Sequence, residues 1–154
     1  MLTAKGVKPI CRFQQVFEST YLSGAFSPLD GTDFQLILPK CDAAHFQLFL
    51  DEFSKEKPNE FKIRVLDNGR FHHAKCLNIP KNIQLIFLPP YSPELNPAEK
   101  IWANYKRTFS NKLHKTIEEV EDFLCDVVSN TTKEIIKSIT AFDYIFEDQF
   151  WTKI

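Results

Sequence analysis

The sequence has little glycine, four residues in 154, and its four cysteines include no C-x-x-C pair. Scarce glycine beside fifteen phenylalanines excludes a low-complexity chain and demands a packed interior. Cys11, Cys41, Cys76 and Cys125 are scattered. That excludes a disulfide framework or a zinc site and predicts reduced thiols in a cytoplasmic setting. Apolar runs long enough to span a bilayer are absent, and MLTAKGVKP has no signal-peptide core, so no membrane partner is expected. Repeats, linkers and low-complexity segments are also lacking. The chain reads as one domain over 1–154, with a lead-in at 1–9 and C-terminal helices with an aromatic tail over 116–154.

Neither sign of charge is in large excess overall. The net charge of −1 gives no support to nucleic-acid binding by itself. Its distribution is uneven, however. Lys100, Lys106, Arg107, Lys112 and Lys115 lie in a stretch without acids, and acids dominate from Glu118 to Asp148. The basic stretch suits either a phosphate backbone or a solvated helix face.

What is present divides into short elements. Arg12–Phe26 and Phe34–Leu38 predict a β-hairpin around the turn Ser27-Pro28-Leu29-Asp30-Gly31. Asp30 and Asp33 at its tip read as turn acids in water. Asp42–Phe53 predicts a helix capped by Asp42, with Ala43, Phe46, Leu50 and Phe53 on one face and His45 at its edge. Phe61–Leu66 alternates as a strand, Phe61, Ile63 and Val65 against Lys62 and Arg64, and stops at Asp67-Asn68-Gly69. A short helix is expected over Phe71–Leu77. Ile83–Leu88 is a near-continuous apolar run suited to a strand buried on both faces.

Two acids stand out. Asp67 ends its strand, where α/β sheets place ligands, although Asp-Asn-Gly is also ordinary turn chemistry. Glu99 falls in the first turn of a helix opening at Pro97, a position favoured by the helix dipole and also common for purely structural glutamates. Trp102 and Lys106 share the Glu99 face approximately, and Trp102 is expected to pack that helix onto the sheet. Thr116 to Glu119 has capping-box form ahead of an apolar stripe at Ile117, Val120, Leu124, Val127 and Val128. Thr132–Ile139 predicts a last helix. The aromatic tail beyond it either docks on the domain or offers a patch to a partner.

Taken together, DN-x-x-x-H (Asp67, Asn68, His72), LPPYSPELNPAE-x-x-W (Leu88 to Glu99, then Trp102) and Lys106 resemble the C-terminal half of a DDE-superfamily transposase, in the branch of mariner-like elements and related bacterial insertion sequences. The two acids are 99 − 67 = 32 positions apart, close to the spacing of that branch's last two catalytic acids. The resemblance is weak before Phe61, strong from Val65 to Lys106, and loose afterwards. It implies an RNase H-like α/β fold, a mixed sheet flanked by helices. It implies Asp67 and Glu99 as second and third ligands of Mg²⁺ or Mn²⁺, with two ions about 4 Å apart serving both the attacking and the leaving oxygen. It implies His72 at the phosphate or orienting the acid, with Asn68, Lys100, Lys106 and Arg107 as further phosphate or DNA contacts. The implied partners are transposon-end and target DNA, in an oligomeric assembly.

One departure is decisive. The first acid of the family lies on a central first strand, yet residues 1–17 contain no aspartate or glutamate. Glu18 falls within the second strand and is not promoted to that role. The reading is a truncated chain that starts after the first strand. Three outcomes follow: the hairpin moves over to pair with the Asp67 strand, the domain is marginal alone, or an upstream-encoded fragment supplies the strand. Two functions remain open, a catalytic fragment inactive unless complemented, and a non-catalytic DNA- or transposase-binding remnant.

Overall fold

A computed structural model of the chain describes residues 19–69, 72, 76–110 and 112–146. The readings at 1–18, most of the helix expected over Phe71–Leu77, and the tail from residue 147 lie outside the described residues.

Strands β1 (Tyr21–Phe26) and β2 (Asp33–Leu38) form the expected antiparallel hairpin, with Tyr21 opposite Leu38 and Phe26 opposite Asp33. Its turn is closed by the Gly31 N–H bond to Ser27 O and by Asp30, whose carboxylate accepts from the Thr32 N–H and hydroxyl. Gly31 has φ +74, and a Cβ there would come within 2.1 Å of the Lys133 carbonyl oxygen. Only glycine serves both the backbone conformation and this close approach.

Helix α1 (Ala43–Lys55) starts at Asp42, which accepts from the His45 N–H. His45 Nδ1 also lies 2.7 Å from Asp42 Oδ1, so this histidine serves the helix end. Strands β3 (Lys62–Leu66) and β4 (Ile83–Phe87) pair in parallel, Lys62 with Ile83 and Leu66 with Phe87. Helices α2 (Ala98–Phe109), α3 (Ile117–Ser129) and α4 (Lys133–Thr140) complete the described core. Thr116 accepts from Glu119 N–H as a capping box requires, but Glu119 reaches back to the Lys115 N–H instead of Thr116.

Two cores result. Phe46, Leu50, Leu66 and Ile83 hold α1 against β3 and β4. Ile101, Tyr105, Val127 and Ile136 hold the three later helices together, with Leu22, Phe26 and Trp102 packed against them. Trp102 meets Phe26 edge-on at 5.3 Å and takes the space beside Gly24, so it does fasten α2 to the hairpin.

The alternation along β3 holds, but the apolar side is not the covered one. Phe61 and Ile63 are 63% and 55% exposed. Lys62 and Arg64 lie over α1 instead, their cations above the Phe53 and Phe49 rings. Strand β4 is not buried on both faces either, since Gln84 is exposed. Among the described residues the hairpin does not move over to β3: the strands form two separate two-stranded sheets.

Candidate active site

Asp67 follows β3 directly. Its position is fixed because β3 and β4 stay paired to the end, with the Leu88 N–H bonded to Leu66 O at 2.8 Å. Asn68 donates from Nδ2 to Leu88 O at 2.5 Å and ties the DNG segment to the Leu88-Pro89-Pro90 segment. His72 lies underneath. Its Nδ1 is 3.0 Å from Asp67 Oδ1 and 3.1 Å from the Asp67 carbonyl oxygen. Both neighbours are acceptors, so Nδ1 carries the hydrogen. The ring packs against Phe46 at 4.6 Å, and its side chain is 10% exposed against 65% for that of Asp67. The histidine thus orients an aspartate that itself faces solvent.

Glu99 is brought in by the proline-rich segment Leu88 to Pro97. Tyr91 there is fully exposed at φ 60, a left-handed conformation unusual for a large side chain. A 3-10 turn at Pro93–Leu95 follows, and Asn96 then opens α2 by accepting the Ala98 N–H on Oδ1 and the Glu99 N–H on its carbonyl. Residue 144 anchors this segment from the far end of the chain: the Tyr144 hydroxyl donates to Leu95 O at 3.1 Å. Burial and the nearby Glu94 push the Tyr144 phenol above its usual range. So the described part of the aromatic tail docks on the domain.

Asp67, His72 and Glu99 all line one cavity of about 960 Å³ running between β1 and β3. Asp67 and Asn68 also border a second cleft of about 490 Å³ beside Tyr91. Lys100, Lys106 and Arg107 are exposed on α2 and line neither cavity. Arg107 bonds to Asn104 Oδ1, and Lys112 covers the Phe123 ring at 3.9 Å, so part of the basic stretch has structural work.

The donor chemistry fits a hard divalent cation. Two carboxylates with water and substrate phosphate oxygens form a usual magnesium environment. The set is short of a third acid: among the described residues no group of three metal-ligating side chains converges.

Reading the residues in order misses Arg64. It lines the same cavity and donates from Nη2 across it to Gly24 O on β1 at 3.3 Å, while Nη1 is buried without a hydrogen-bond partner. Burial pushes its guanidinium down to about 9. A basic residue inside an alternating apolar strand was the available signal.

A family model described as DDE superfamily endonuclease matches residues 2–121. An uncharacterized protein of Sinorhizobium fredii (strain NBRC 101917 / NGR234), y4pE/y4sA, is 35% identical over 107 residues, 68% of this chain and 79% of that protein. The fold is similar to that of the Mos1 transposase in its paired-end complex with the left transposon end, with a TM-score of 0.68 at 16% identity over 91% of this chain. The match spans 45% of the length of that transposase chain.

Proposed function

Because the chain belongs to the DDE superfamily of endonucleases and carries its transposase-type catalytic fold, we propose that it is the part of a transposase that holds two of the three catalytic carboxylates, Asp67 and Glu99. DNA is the substrate, cut and joined at transposon ends of the insertion-sequence type. The single observation that supports this reading best is that the two acids, distant in sequence, open onto one cavity.

In this reading Mg²⁺ or Mn²⁺, when bound, supplies activation of the attacking oxygen and neutralises charge at the phosphate. The residues of the chain supply position. Asp67 offers its carboxylate from the rigid end of a paired strand, with its orientation set by His72 Nδ1. Glu99 offers its carboxylate from the first helical turn, where the positive end of the helix dipole also favours the negative charge of the phosphate. Lys100, Lys106 and Arg107 are exposed to follow the DNA backbone beyond the cavity. The third acid comes from outside the described residues, from an upstream-encoded transposase fragment, and the active assembly is oligomeric.

The experiment is metal-dependent cleavage of transposon-end DNA by the complemented assembly. Asp67→Ala and Glu99→Ala should each abolish it, and retained cleavage in either would refute the assignment. A second reading, a remnant that binds DNA or a transposase without cutting, is favoured by the short donor set. Cleavage by the complemented assembly would dispose of it.

A further inference from the structure

The segment Leu88 to Pro97, which delivers Glu99, is poorly equipped to hold itself. Four of its ten residues are proline and donate no backbone hydrogen. Its 3-10 turn at Pro93–Leu95 has no side-chain cap among the described residues, and such turns have poorer hydrogen-bond geometry than an α-helix. Two side chains from elsewhere reach its carbonyl groups. Asn68 donates to Leu88 O at the start, and the Tyr144 hydroxyl donates to Leu95 O at 3.1 Å near the end. The phenol carries one hydrogen. The Glu94 carbonyl oxygen is 3.5 Å from it, so the bond goes to Leu95.

Tyr144 is itself well seated. It belongs to the 3-10 turn Asp143–Phe146, which follows the end of α4, where the Ala141 N–H bonds to Lys137 O. The Ile145 N–H bonds to Phe142 O at 3.0 Å, and the Tyr144 ring lies 5.5 Å from that of Phe142. Ile145 is buried and lines the large cavity along with Leu95 and Glu99. Helix α4 and the turn after it therefore hold the start of α2 at two points. One is Leu95, through Tyr144. The other is the core where Ile136 packs with Ile101 and Tyr105. Glu99 lies between them, four residues after Leu95 and two before Ile101. Asn96 carries the constraint onward, since it follows Leu95 directly and accepts the Ala98 and Glu99 N–H groups.

We propose that Tyr144 is a positioning residue for Glu99: its hydroxyl fixes the turn from which α2 starts, and so holds the Glu99 carboxylate ready for a divalent cation. This deepens the reading of Glu99 as a metal ligand and rests on it. Helix ends fray, and a ligand carried on a first turn loses affinity whenever that turn opens. The phenol, pushed above its usual range by burial and by Glu94, stays protonated and remains a donor at neutral pH. The contact comes from beyond residues 2–121, the span of the family match, so the endonuclease motif alone does not supply it.

The test compares the whole chain with Tyr144→Phe, which removes one oxygen and keeps the ring. Expected is amide hydrogen exchange about fivefold faster at Asn96, Ala98 and Glu99, the worth of one neutral hydrogen bond, with the amides of Ile83–Phe87 unchanged. Mn²⁺ affinity, read by electron paramagnetic resonance, should fall about fivefold as well. Thr116→Ala is the control for stability alone. It removes the cap of α3 and should lower the urea midpoint at least as much while moving neither readout. Unchanged exchange at the three amides overturns the proposal. So does an unchanged Mn²⁺ affinity where Glu99→Ala loses the ion, because the turn would then loosen without moving the carboxylate. An equal fall in Mn²⁺ affinity in Thr116→Ala reduces Tyr144 to a structural contact and overturns it too. Mn²⁺ binding untouched by Glu99→Ala counts against the metal reading alone, and faster exchange at the three amides would still sustain the hold of Tyr144 on the Glu99 turn.

Discussion

Arg64→Met should make the isolated chain more stable. The guanidinium is desolvated, its usual charge-state range pushed down to about 9 by burial, and one nitrogen lacks any partner. Holding an unpaired ion in such a place costs several kcal/mol. Two contacts offset it. The cation sits 4.1 Å above the Phe49 ring centroid, worth about 1–2 kcal/mol. The hydrogen bond to Gly24 O is long, 3.3 Å, and contributes about 1 kcal/mol. Methionine keeps the length of the stem, and its thioether is at home beside Phe46, Phe49 and Phe53. The net expectation is a gain of about 1–3 kcal/mol, or a Tm rise of about 3–10 °C for a domain of this size. Thermal and urea unfolding at neutral pH, followed by circular dichroism, would measure it. A loss of stability of more than about 1 kcal/mol would refute the reasoning, because Arg64 would then be satisfied as it stands.

Other expectations follow from single contacts. Trp102→Ala removes the ring that meets Phe26 and Tyr105 and abuts Gly24. It should cost about 3–5 kcal/mol in urea unfolding, and a loss below about 1 kcal/mol would show that α2 does not depend on it. Hydrogen bonds from Ser27 and Thr32 hold the Asp30 carboxyl down to about 2. A depressed carboxylate stabilises the fold above its ordinary range and loses that contribution as pH falls through the folded value. Asp30→Ala should therefore destabilise at neutral pH by less than about 1 kcal/mol, given its exposure to solvent. That difference should fade between pH 4 and about 2, and a difference independent of pH would count against it.

Much of this architecture is legible in the residues because local chemistry agreed with the fold. Asp42 and Thr116 mark helix starts by offering oxygen to backbone N–H groups, and Gly31 marks a turn only glycine can make. What periodicity cannot give is which side of a strand is covered. On β3 it separates Phe61 and Ile63 from Lys62 and Arg64 correctly, but the phenylalanines of α1 lie on the charged side, where rings accept cations. Nor does it place a distant residue such as Tyr144 on Leu95. Of the candidate site, spacing and the LPPYSPELNPAE segment single out Asp67 and Glu99, and both residues line one cavity. The hydrogen bond from His72 to Asp67 depends on the path of the chain after Gly69, which composition does not dictate.

The central claim, that residues 67 and 99 grip one divalent ion together, is tested most directly by titrating the chain with Mn²⁺ under electron paramagnetic resonance. One weak site is expected in the unaltered protein, lost in Asp67→Ala and lost equally in Glu99→Ala. Unchanged Mn²⁺ binding in either variant would contradict it.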